Sequence, residues 1–188
     1  MKVVSIVGMA GSGKSVVAAV FESKGFTRIR FGDITDREVI KRGLELNEYN
    51  ERMVREALRR EHGMEIYARF NLERIDAARE HSDVVVDGLY SWEEYILLKE
   101  YYGDAFRLVA VFSSPETRYR RLSGREERPL ARYEASGRDR SEIEKVNKGG
   151  PIAMADFTLI NESSLEEVKK ATESIIHMMR QTDYGKTV

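Results

Sequence analysis

The sequence predicts an α/β fold: a parallel sheet covered by helices on both faces, with a phosphate-binding loop at the first strand–helix junction. Three observations carry this. Strand-like apolar runs alternate with helical patterns along the whole chain, as in parallel strands joined by crossover helices. The first run, Val3-Val4-Ser5-Ile6-Val7, leads directly into Gly8-Met9-Ala10-Gly11-Ser12-Gly13-Lys14-Ser15, which has the form G-x-x-x-x-G-K-[ST]. A later run, Val84-Val85-Val86, is unbroken by polar residues, as a strand buried on both faces requires, and it ends on Asp87.

The loop motif has a mechanical reading. Its glycines allow successive backbone N–H groups to turn inward and form a cradle for anions, and the helix that follows adds the positive end of its dipole. The predicted cradle comprises Gly8, Ala10, Gly11, Ser12, Gly13, Lys14, Ser15 and Val16. Lys14 is placed to reach the β- and γ-phosphates, and the Ser15 hydroxyl to ligate Mg²⁺. The motif therefore predicts binding of a nucleoside triphosphate with magnesium.

The remaining elements follow from pattern. A first helix over 16–22 ends near Gly25, and 26–31 forms the second strand. A short helix is predicted over 36–41, and a longer one over 47–60 with Met53, Val54, Ala57 and Leu58 on one face. Residues 64–79 read as one continuous helix with Tyr67, Ala68, Leu72 and Ile75 inward. The third strand is 83–87, Ser91 opens a helix carrying Trp92, Tyr95 and Leu98, and 106–112 is the fourth strand. Pro115 suits the first turn of the next helix. Residues 123–137 lack periodicity and read as a mobile loop or lid, followed by a helix over 138–148 that Gly149-Gly150-Pro151 breaks. The fifth strand is 156–160. Ser164 and Glu167 form a capping box for a last helix with Leu165, Val168, Ile175 and Met179 inward, and the final residues read as disordered.

Composition narrows the function classes. The 188 residues are expected to form a single domain with a substantial core, and no apolar run approaches the length of a membrane span. With no Cys there is no thiol nucleophile or Cys-ligated zinc, and His62, His81 and His177 form no ligand motif. The strand begins too early to leave room for a signal peptide, so a cytoplasmic location is expected. A net charge of −1 argues against a non-specific nucleic-acid binder. The charge is uneven, however: between positions 118 and 140 all the basic residues are arginines, whose planar fork suits phosphate oxygens.

Two acids complete the candidate chemistry. Asp87, at the end of a buried strand, fits the carboxylate that holds Mg²⁺ in loop-type nucleotide hydrolases and kinases; the other reading is a cap for the helix near Ser91. Asp33 follows the second strand, on the sheet edge where ligands of open α/β sheets bind. It could accept the proton of an acceptor hydroxyl, hold metal or ribose, or simply form a turn. Arg37 is placed to hold an acceptor phosphate or to lie on the surface.

In this order the loop, Gly32-Asp33, Val86-Asp87-Gly88, the arginine-rich segment and Ala155-Asp156-Phe157-Thr158-Leu159-Ile160-Asn161 resemble the adenylate kinase and dephospho-CoA kinase group. The chain most resembles the archaeal adenylate-kinase-related, dephospho-CoA-kinase-like proteins, over essentially its full length. The resemblance implies a three-layer αβα fold with a five-stranded sheet in the order 2-3-1-4-5. It implies an acceptor-binding helical insertion over 34–80 and a lid over 123–149 within one domain, 1–188. By the same resemblance ATP is the donor, Asp33 serves acceptor and metal, Arg121 lies near the adenine, and Asn161 contacts the base. Arg138 and Arg140 resemble lid arginines with a catalytic role, and Gly88 joins Asp33 and Arg37 on the acceptor side. The chain also departs from adenylate kinases. Asp36 stands where they place an arginine, Arg37 comes one residue late, and Tyr90 stands where related proteins often carry arginine.

The leading expectation is Mg-ATP-dependent phosphoryl transfer to a nucleotide-like small molecule of the nucleoside monophosphate or dephospho-CoA type. The other is a nucleotide-responsive ATPase or binding protein without small-molecule kinase activity, motivated by the changes at Arg37 and Tyr90. An RNA-directed role is weighed down by the near-neutral charge, and Gly150 replaces the acid that a guanine-reading Asn-Lys-x-Asp element would need. A homo-oligomer is compatible with the sequence.

Overall fold

The computed structural model describes residues 1–181. The expected disorder of the last residues falls outside these. Five parallel strands, β1 (Val3–Val7), β2 (Thr27–Arg30), β3 (Val84–Asp87), β4 (Phe106–Phe112) and β5 (Phe157–Ile160), form one sheet in the order β2-β3-β1-β4-β5. This is the expected order. β1 lies at the centre, with Val4 opposite Val85 on one side and Arg107 on the other. Alternate side chains point to opposite faces. Val3 and Val7 join a core with Phe31, Ile66, Tyr67, Leu89 and Leu98, whereas Val4 and Ile6 join another with Phe21, Val109, Ile175 and Met179.

The helices are α1 (Lys14–Ser23), α2 (Asp33–Lys41), α3 (Glu48–His62), α4 (Ile66–Arg69), α5 (Leu72–Arg79), α6 (Trp92–Tyr102), α7 (Pro115–Ser123), α8 (Arg132–Glu144), α9 (Gly149–Ala153) and α10 (Leu165–Gln181). Asn47, Ser91 and Ser114 each cap their helices by accepting a backbone N–H through the side chain. The capping box between Ser164 and Glu167 forms as expected, each backbone N–H donating to the other side chain. No helix of the described residues is long and apolar enough to cross a membrane.

Several expectations need correction. Residues 64–79 form two short helices, because the buried Asn71 side chain donates to Tyr67 O and competes with the helical backbone pattern. The helix predicted from 138 begins at Arg132, where the Glu134 carboxylate accepts the Ala131 N–H, so the irregular segment is shorter than expected. Gly149-Gly150-Pro151 does not merely break a helix: it opens α9, whose early turn tolerates proline. Met53 and Leu165 are exposed rather than inward.

Candidate active site

The loop after β1 is built where only glycine fits. Gly8, Gly11 and Gly13 have φ of 153°, 80° and 97°. A Cβ would lie 2.4 Å from Val111 O at Gly8, 2.8 Å from Arg118 O at Gly11 and 2.2 Å from Asn161 Nδ2 at Gly13. The loop is thus wedged between β4, α7 and the end of β5. The amides of Gly13, Lys14 and Ser15 donate to no acceptor among the described residues, and the buried Ser12 Oγ has no partner. These are the donors a phosphate cradle needs. Val16 differs from its neighbours in the loop: its amide already donates to Gly13 O at 3.0 Å.

Lys14 folds back on the loop, donating to Gly8 O at 2.8 Å and Met9 O at 3.1 Å. Its ammonium is pushed down to about 7, chiefly by burial and then by the charge of Lys148, with Arg138 adding to the effect. Lys148 and Arg138 thus act on the ammonium in the same sense as burial, and Glu142 and Asp87 oppose them.

Asp87 is buried at the end of β3, on the same sheet edge as the loop, and its Oδ2 accepts from Arg28 Nη2 at 2.5 Å. Ser15 is exposed in the first turn of α1 and lines a depression together with Arg28. No cluster of three acids or histidines that could hold a metal exists among the described residues. Magnesium in phosphate sites takes one or two protein ligands plus phosphate oxygens and water, so a single hydroxyl with one carboxylate fits that ion. The carboxylate reading of Asp87 as helix cap is not what the structure shows, since Ser91 caps α6 itself.

Arg121 and Asn161 come together beside the loop. Arg121 donates to Ser113 Oγ at 3.0 Å, Asn161 O at 3.1 Å and Asn161 Oδ1 at 3.2 Å, while Asn161 Nδ2 donates to Ser12 O at 2.8 Å. The Asn161 amide is thus committed to clamping the loop. Nearby, Arg118 is buried and holds Asp139 through two bonds of 2.8 and 2.6 Å, and it also donates to Ala10 O. This ties α8 to the loop through α7.

A pocket of 130 Å³ is lined by Arg30, Arg55, Arg128 and Arg138, by the acids Asp36, Glu48 and Glu51, and by Tyr67 and Tyr90 among others. It corrects the acceptor-side assignments. Arg37 is exposed, donates to Asp33 O and lines a different cavity with Lys41 and Phe70. Asp33 stays at the sheet edge, but its carboxylate lies 3.6 Å from Arg30 and 3.7 Å from Arg74, whereas Asp36, 3.1 Å from Arg30, lines the pocket together with Glu48 and Glu51. Arg140 is exposed and pairs only with Glu144, one turn away, so it does not reach the site. Arg138 does: it binds Glu48 at 2.8 Å and Glu142 at 3.1 Å and borders the pocket. Gly88, with φ of 99°, lets the Tyr90 ring lie over the turn after Asp87.

Sequence reasoning missed Arg28, Arg30, Arg55, Glu142 and Lys148. Lys148 is fully buried, binds Glu142 at 2.7 Å and lies 4.4 Å from the Tyr90 ring centroid. Burial opposes ionisation of Glu142, but Lys148 and Arg138 outweigh it and hold the carboxyl well below its usual range. Arg30 and Arg55 line the pocket, paired with Asp36 and Glu48, whereas Lys148 lies behind Tyr90. The alternation of Arg28 and Arg30 in β2 is the one sequence signal that could have drawn attention to them.

Comparison with known proteins agrees with this architecture. An AAA domain model matches residues 4–147. A UPF0200 protein of Thermococcus kodakarensis is 38% identical over 182 residues, covering 93% of this chain and 98% of that protein. Another, from Methanothermobacter thermautotrophicus, is 32% identical over 182 residues, covering 96% and 92%. Among solved structures, a gluconokinase from Sinorhizobium meliloti superposes with a TM-score of 0.63 at 15% identity, covering 100% of this chain and 98% of that one. A shikimate kinase from Bacteroides thetaiotaomicron gives 0.60 at 12% identity, covering 94% and 98%. At such identities these structures show the fold alone, a P-loop kinase-like fold. The chain belongs to the UPF0200 family and carries its phosphate loop within an AAA domain.

Proposed function

We propose that the protein transfers the γ-phosphoryl group of ATP to an oxygen of a nucleotide-like small molecule, a phosphate oxygen for an acceptor of the nucleoside monophosphate type or a hydroxyl for one of the dephospho-CoA type. The observation that carries this reading is the presence of two cation-bearing sites, the second of which holds its arginines on the acids Asp36, Glu48 and Glu51. The glycine loop with Lys14 is one, and the arginine-lined pocket is the other; Arg138 borders the pocket and contributes to the field at Lys14. A hydrolase needs only the first site. A transferase needs both, with water excluded between them.

The residues divide the work. Lys14 exchanges two carbonyl partners for phosphate oxygens, and the loop amides hold the rest of the triphosphate. Ser15 and Asp87 would hold Mg²⁺, which neutralises charge on the phosphates when bound. Arg30 and Arg55 grip the anionic part of the acceptor, and Arg138 stabilises charge spread over the transferring group. The acceptor oxygen bonds to the γ-phosphorus as the phosphorus–bridging-oxygen bond breaks and ADP leaves, and where the acceptor is a hydroxyl its proton passes to Asp36. Asp33, 3.6 Å from Arg30, orients the acceptor.

An acceptor panel of nucleoside monophosphates and dephospho-CoA, with Mg-ATP, tests the reading through ADP release and labelled phosphate transfer. Transfer to one acceptor class is expected, with a deeper loss in Asp36→Asn than in Asp33→Asn. ADP release at one rate regardless of acceptor would support a nucleotide-responsive ATPase instead.

A further inference from the structure

Beside the small pocket lies a larger cleft of 760 Å³ between α3 and α8. It is more than five times the size of the pocket and shares Glu48, Arg55, Tyr90 and Arg138 with it. Its charge can be followed pair by pair. Glu48 is held by Arg55 and Arg138, Glu56 by Arg52 and Lys145, and Glu142 by Arg138 and Lys148. Glu134 is taken by the backbone of Ala131. Two cations of the lining, Arg59 and Arg60, adjacent in the last turn of α3, have no acid of the lining as a partner.

Arg60 is exposed and makes no ion pair among the described residues. Arg59 is nine-tenths buried, stacked 4.9 Å over the Tyr67 ring, and its Nε and Nη2 have no hydrogen-bond partner. Its one acidic neighbour, Glu94, lies at 3.6 Å, too far for a hydrogen bond, and Glu94 Oε1 is likewise unpartnered. Burial pushes the Glu94 carboxyl up from its ordinary range, which weakens its opposition to an anion at this point. Arg59 Nε and Nη2 are sealed from solvent and only Nη1 is left to face the cleft; a buried guanidinium so short of hydrogen bonds is costly unless an anion compensates it. At the mouth, Tyr49 and Tyr133, in the first turns of the two facing helices, both line the cleft and are each 78% exposed.

We infer that this cleft holds the distal part of the acceptor, which carries a second anionic group seated on Arg59 and Arg60 and a flat ring bracketed by Tyr49 and Tyr133. The inference rests on the phosphoryl-transfer reading and names its substrate class: an elongated nucleotide-like molecule with two separated anionic groups. A plain monophosphate would leave the cleft empty.

Binding of adenosine 3′,5′-bisphosphate and of AMP, each measured by calorimetry with a non-hydrolysable ATP analogue present, tests this. The bisphosphate is expected to bind at least about tenfold more tightly than AMP. The preference is expected to vanish in Arg60→Ala and in Gly137→Leu. Gly137 lines the cleft, and a Cβ there meets nothing within 4 Å, so a larger residue fills the cavity without a clash and suits the helix. Affinity for the ATP analogue is expected to be unchanged in both variants, which also shows that they fold. Equal binding of the two probes to the wild-type protein overturns the inference, as does a preference that survives both substitutions. The two readings fail separately. A preference lost in the variants, with no acceptor ever phosphorylated, removes the transferase and leaves the anion cleft. Transfer to a monophosphate without any preference removes the cleft and leaves the transferase.

Discussion

Arg28 Nη2 lies 2.5 Å from Asp87 Oδ2, so the carboxylate best placed for a metal is already neutralised by a neighbouring strand. Arg28 also lies 3.6 Å from Glu22, which offers the guanidinium a second partner when Asp87 turns to a cation. Asp87 is almost fully buried, whereas Arg28 is about a quarter exposed. Breaking a buried pair by removing one partner leaves a charge without compensation, and partial exposure reduces the cost. Arg28→Met is expected to lose about 1–3 kcal/mol in urea unfolding with EDTA present. Added Mg²⁺ should restore much of that loss and should act at lower concentration than in the wild type. Equal destabilisation with and without Mg²⁺ would argue against a metal role for Asp87.

Lys14 predicts a proton linked to nucleotide binding. Its ammonium ionises near 7 in the free protein, far below the ordinary value of 10.5, so at pH 8 most molecules hold it neutral. Phosphate oxygens favour the charged form, so triphosphate binding should draw up to about one proton from solution at pH 8 and close to none at pH 6. Calorimetry in buffers of different ionisation enthalpy reads this directly, and Lys14→Met should abolish the uptake.

Gly13 and Asn161 are coupled by contact. An alanine at 13 is strained by its φ of 97° and brings Cβ within 2.2 Å of Asn161 Nδ2. Gly13→Ala is expected to destabilise by about 1–3 kcal/mol and to weaken triphosphate binding. In Gly13→Ala/Asn161→Ala the clash disappears and only the strain remains, so the double variant should lose less than the sum of the singles. Thermal unfolding of the four proteins gives the coupling.

Arg118 and Arg140 should behave oppositely although they lie in one arginine-rich segment. Arg118 is buried, doubly bonded to Asp139 and attached to the loop at Ala10 O. Arg118→Met should cost about 3–5 kcal/mol in urea unfolding, because Asp139 is left charged in a dry setting. Arg140 is exposed and pairs within its own helix, so Arg140→Ala should leave both the unfolding midpoint and nucleotide affinity where they are.

The sequence by itself determined the parts whose information is local. The loop was legible because Gly8, Gly11, Gly13, Lys14 and Ser15 act through backbone conformation and neighbouring groups. The strands were legible because burial on both faces of a sheet demands unbroken apolar runs, and Asp87 stood out by ending one of them. What only the tertiary structure decided depends on side chains that meet across long separations. Arg28 reaches Asp87 across 59 positions, and Arg138 reaches Glu48 across 90. No local pattern records such a meeting. Two positions along a helix turn a side chain to nearly the opposite face, so Arg138 borders a cleft while Arg140 faces water, and nothing in the spacing of the arginines says which does which. Two residues of the same charge differ in role because burial fixes which partners each can find, and burial belongs to the folded chain.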